Sequence, residues 1–106
     1  MIQASIYRNK AGQCTSFTVA NHGESYVCAA VSMLVINTIN SIEAFTDTAF
    51  SCDMDEEDVR ITFTISPSQP AGHDAELLLK AMLLGLTSVA EQHPNELTLN
   101  EFEERE

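Results

Sequence analysis

Positive charge is what this chain has least of. Five Lys and Arg stand against sixteen Asp and Glu in 106 residues, a formal charge of −11. Five scattered cations cannot build the phosphate-tracking patch that DNA or RNA binding needs. Anionic membrane surfaces are disfavoured for the same reason. Four Gly and three Pro are too few for a low-complexity, disordered chain. Ser, Asn or Lys breaks every apolar run before the roughly 18 residues of a membrane span, so no transmembrane segment is expected. The opening MIQASIYRNK lacks the apolar stretch of a signal peptide. Three cysteines, at 14, 28 and 52, are an odd number. Without an export signal, they point to free thiols in the cytoplasm.

What is present suits one globular domain over residues 1–106: 44% of residues are hydrophobic. Residues 2–7 alternate, with Ile2, Ala4 and Ile6 on one side, which predicts a half-buried strand. After a turn at residues 9–12, residues 15–20 form a second β-rich run with Phe17 and Val19 on one face. The two read as an antiparallel hairpin. Residues 26–45 carry Cys28, Val31, Val35, Ile39 and Ile42 at helical spacing, with Ser25 as the expected N-cap. Residues 48–54 and 59–65 read as two further strands around an acidic turn. A second helix opens at Asp74 or Ala75 and stops before Pro94. Residues 97–99 suggest a last short strand, with a frayed acidic tail over 101–106.

The order ββαββα(β) predicts an α+β fold, a two-layer structure of an antiparallel sheet with two helices on one face. Both helices are apolar around most of their circumference, and such a helix is buried on more than one side. In so short a chain the second cover is expected to be another copy, giving a homodimer packed through its helices. The acidic charge favours a basic polypeptide partner.

Cys28 is the first candidate for chemistry. Near a helix start, unpaired backbone N–H groups and the helix dipole favour anionic sulfur, and the thiolate is the nucleophile. The same amides suit an oxyanion. Ser32 lies one turn on and shares the face of Cys28. His22 precedes the helix, and Gly23 gives its loop freedom. Together they are the minimum of a Cys–His dyad. A buried cysteine beside an unrelated loop histidine has the same spacing. Cys14 and Cys52 read as packing residues, although a redox sensor would use one of them to resolve Cys28. No pair among the Cys and His residues has CxxC or HxxxH spacing, so no metal is expected. The acidic run 53–58 fails as a calcium loop, with Asp58 where Gly is required and Thr64 where Glu is required.

The string Val27-Cys28-Ala29-Ala30-Val31-Ser32, after a histidine loop and before Asn37 and Asn40-Ser41-Ile42-Glu43, resembles the ribosomal-processing cysteine protease (Prp) family. The likeness runs over nearly the whole chain and includes the helix from Ala75-Glu76-Leu77 to Gly85-Leu86. It implies a homodimeric, cytoplasmic bacterial endopeptidase without a cofactor. Such an enzyme removes a short N-terminal extension from large-subunit ribosomal protein twenty-seven. The resemblance makes His22 the general base and Cys28 the nucleophile, with Ser32, Ser25 and Gly23 in support. It departs at Asn21, where the family has Gly, and at Ser25, where it has Asp. Family loops between the two catalytic positions are longer and gate the substrate. Either the loop of this chain is short, or residues are missing after His22, which is the expectation. The alternative function is a non-catalytic dimeric module that binds a ribosomal protein or an assembly factor.

Overall fold

The computed structural model describes residues 1–21, 25–55, 57, 59–67 and 72–103. It has the order β1 (Ile2–Arg8), β2 (Cys14–Ala20), α1 (Ser25–Phe45), β3 (Phe50–Asp55), β4 (Arg60–Ile65), α2 (His73–Gln92) and β5 (Leu97–Glu103). The five strands form one sheet in the order β3-β4-β2-β1-β5. This is the expected α+β architecture with one refinement. All pairings are antiparallel except β1 with β5, which is parallel. The connectivity dictates this. Because β4 lies antiparallel to β2, it points the same way as β1, and a helical crossover returns the chain in that direction. The same holds for β2, α1 and β3. Two crossovers of one hand, starting from opposed strands and moving in opposite directions across the sheet, place both helices on one face.

The core lies between that face and the helices. Ile2, Ala4 and Ile6 of β1 point into it, as do Phe17 and Val19 of β2 and Phe63 and Ile65 of β4. Cys14 is buried on the same side although it lies three residues from Phe17. A register shift makes this possible: Arg8 pairs Cys14 while Tyr7 pairs Ser16, so one extra residue resets the alternation. Val27, Val31, Val35, Ile39 and Ile42 form the buried stripe of α1. Ala75, Leu79, Met82, Leu83 and Leu86 form that of α2. The helices run antiparallel, with Leu34 packed on Gly85 so closely that a Cβ at Gly85 would lie 2.8 Å from Leu34 Cδ2.

Two expectations change. By length and composition, residues Tyr26–Phe45 are apolar enough to cross a membrane. Scattered Ser and Asn shorten the runs yet leave the mean high, and the valine and isoleucine stripe is packed on the sheet. The acidic tail is ordered as strand through Glu103. Pairing with β1 gives its backbone partners, Arg8 holds Glu101 at 2.8 Å, and Phe102 stacks on Tyr7 with ring centroids 5.2 Å apart.

Burial pushes the Cys14 thiol up from 9.0 to about 11, against the smaller opposing pull of the Arg8 charge and of a hydrogen bond with the Ser16 backbone. Below pH 9 both folded and unfolded thiols are protonated, and the group contributes no pH dependence. Above pH 9 the unfolded thiol ionises first, so the folded state binds more protons and loses stability as pH rises toward about 11. Urea melts from pH 8 to pH 11 are expected to show a decline of roughly 1.4 kcal/mol per pH unit from this group. Cys14→Ala removes that part of the slope.

Candidate active site

α1 begins at Ser25, so Ser25 is its first helical residue rather than the residue before it. Helix ends shift by one residue easily. Its side chain, like His22 and Gly23, lies outside the described residues, and so does the expectation about the loop after His22. Cys28 is then the fourth helical residue, directly after the N–H groups that have no partner within the helix. It is half-buried. Ser32 follows one turn later on the same side. Thr38, Thr46, Thr87 and Ser88 each donate their hydroxyl to the carbonyl four residues back. Ser32 makes no such bond among the described residues.

Cys28 and Ser32 open onto a cleft of about 300 Å³. Its walls are Ile2, Val19, Val31, Met54 and Ile61, with Asn21, Asp55, Val59 and Arg60 at one end. The sheet order makes this cleft. Because β4 sits beside β2, the turn joining β3 and β4 comes up against the end of β2, beside the start of α1. Asn21 N–H donates to the Val59 carbonyl at 3.0 Å and ties the two together. Asn21 has φ 76° and Val59 φ 48°, the left-handed region. Asn tolerates that conformation, whereas β-branched Val is strained there by about 1–3 kcal/mol.

The other histidines are elsewhere. His93 ends α2 and meets Tyr26 edge-on, ring centroids 5.4 Å apart. Tyr26 is two residues from Cys28, about 200° around the helix, so His93 is on the far side of α1. His73 pairs with Asp74 at 3.3 Å and lines a separate polar cavity beside Phe45, at the other end of α1. His22 directly follows Asn21, which is in the cleft.

All three cysteines are free. Cys14 is at the opposite end of β2 from the cleft, roughly 17 Å of strand from Val19. Cys52 is exposed on the edge strand β3, and burial together with neighbouring Asp53 raises its pKa. Among the described residues no group of three His, Cys, Asp or Glu could hold a metal ion. The sequence reading found Cys28 and Ser32. It missed Met54, Val59 and Ile61, which it assigned to strands with no view of where those strands sit. Only the β2–β4 neighbourhood brings them to α1.

The model of the cysteine protease Prp family matches residues 1–98. A crystal structure of SMU.848 from Streptococcus mutans is 33% identical, with a TM-score of 0.87, covering 98% of this chain and 99% of that one. The essential ribosomal processing protease Prp from S. aureus, solved with a covalently linked product peptide, is 24% identical. Its TM-score is 0.87, and the match covers 95% of this chain and 99% of that one. The same S. aureus protease with a substrate peptide is 23% identical, at the same TM-score and coverage. No match is found among curated proteins. With the family matched over residues 1–98 and Cys28 at the head of α1 in an apolar cleft, the chain belongs to the Prp family of cysteine proteases.

Proposed function

We propose that this protease removes a short N-terminal extension from large-subunit ribosomal protein twenty-seven, with Cys28 as nucleophile and His22 as general base. The observation that carries the reading is the position of Cys28. It is half-buried in the first turn of α1 and opens onto a peptide-sized apolar cleft that ends at Asn21, the residue before His22. The S. aureus protease, solved with a substrate peptide and with a covalently linked product peptide, supports a peptide as the substrate.

The chemistry follows from these groups. His22 takes the proton of the Cys28 thiol, and the thiolate attacks the scissile carbonyl carbon. Charge that develops on the carbonyl oxygen is stabilised by unpaired amides at the start of α1, with Ser32 as a further donor. The tetrahedral intermediate collapses, the C–N bond breaks, and His22 returns the proton to the leaving amine. Water, deprotonated by His22, then attacks the thioester and releases the carboxylate product. The apolar walls select an apolar segment. The net charge of −11 suits a basic ribosomal protein approaching from solution.

The working form is a homodimer joined through the helical layer. Met33 of α1 is 69% exposed and Leu84 of α2 is 72% exposed, on the face turned away from the sheet. Both flank the close contact of Leu34 with Gly85, and their burial against a second copy would remove apolar surface from water.

Under reducing conditions, the wild type is expected to cleave a synthetic peptide that spans the extension and its junction. Cys28→Ala should abolish cleavage, and His22→Ala should lower kcat by about 10²–10⁴. Equal absence of cleavage in wild type and Cys28→Ala would refute the reading. Sedimentation equilibrium should give twice the chain mass for the wild type. Met33→Lys combined with Leu84→Lys should give a monomer that remains folded by circular dichroism.

A further inference from the structure

Two non-glycine residues have positive φ among the described residues, Asn21 and Val59. Both line the Cys28 cleft, and a backbone hydrogen bond of 3.0 Å joins them. Strained backbone persists where the surrounding structure fixes it, and it concentrates at working sites. Here it fixes the place of Asn21 at the mouth of the cleft. Glycine would hold this φ without strain. Asparagine adds a carboxamide, which is both donor and acceptor. That carboxamide is exposed and makes no hydrogen bond among the described residues.

An extended peptide entering the cleft takes its own N–H and C=O groups out of water, and each must find a partner. The side chains of Ile2, Val19, Val31, Met54 and Ile61 are apolar, so side-chain partners come from the polar residues of the lining, with Asn21 at the mouth and Ser32 beside Cys28. We propose that Asn21 is a substrate-contact residue, whose carboxamide hydrogen-bonds the main chain of the peptide lying in the cleft. The proposal rests on the protease reading above. It makes Asn21 a determinant of substrate binding that is blind to side-chain identity, and it assigns apolar selection to the walls.

The test is steady-state cleavage of the extension peptide by wild type, Asn21→Gly and Asn21→Asp. Both substitutions suit a left-handed backbone and leave the bond to Val59 intact, and melting curves check that the fold is kept. Asn21→Gly is expected to raise KM about fivefold with kcat changed less than twofold, as for loss of one neutral hydrogen bond made throughout the reaction. Asn21→Asp, which loses the donor and places a charge against peptide carbonyls, should raise KM at least as much. An unchanged KM in Asn21→Gly, or a fall confined to kcat, overturns the proposal. Cleavage by the wild type that is lost in Cys28→Ala keeps the protease reading standing even then. No cleavage by the wild type removes both.

Discussion

The pairing of β2 with β4 is the contact on which the molecule turns. It joins two β-hairpins that are each local, across forty or more residues of chain, with Phe17 directly opposite Phe63. Their rings stack with centroids 5.0 Å apart, and Phe50 of the edge strand lies at the same distance from Phe63. Aromatic pairs in this geometry stabilise beyond the area they bury, by about 0.5–1.5 kcal/mol. A slip of one residue would turn Phe63 to solvent and bring Thr62 or Thr64 inside, so the register is strongly specified. The cleft depends on the same register, since Val19 pairs with Ile61 and both line it.

Much of this was legible in the sequence because the periods are clean. Ile2, Ala4 and Ile6 alternate, and so do Ile61, Phe63 and Ile65. The helical stripe through Val31, Val35, Ile39 and Ile42 is unbroken, although the structure starts it at Val27 rather than at Cys28. The parallel placement of β5 was not legible, because residues 97–103 carry no mark of which edge they will join. Nor was the extent of β5, since its glutamates read as a solvated tail until Arg8 and Tyr7 are placed beside them. The bulge that sets Cys14 inward is likewise a property of the paired strands, not of either strand alone.

The candidate site divides in the same way. Cys28 and Ser32 follow from helical spacing and the physics of a helix start. The rest of the cleft is long-range, built by Met54, Val59 and Ile61 from a hairpin that by itself resembles any acidic turn. Asn21 is the intermediate case. A polar residue after a strand suggests a turn, but its left-handed φ and its bond to Val59 come from the assembled sheet. The candidate nucleophile is thus set by one helix end, while part of the cleft wall around it comes from the far half of the chain.

The first strand is completed by the last. β1 pairs with β5 over its whole length, from Ile2 with Leu97 to Arg8 with Glu103. While the chain is being synthesised, β1 leaves the ribosome first and waits with one backbone edge unpaired until β5 follows. A chain truncated before residue 97 would keep that edge open, next to the apolar face of Ile2, Ala4 and Ile6. An open edge of this kind templates intermolecular pairing. The architecture therefore covers an apolar edge with β5, whose own open edge carries Glu101 and Glu103.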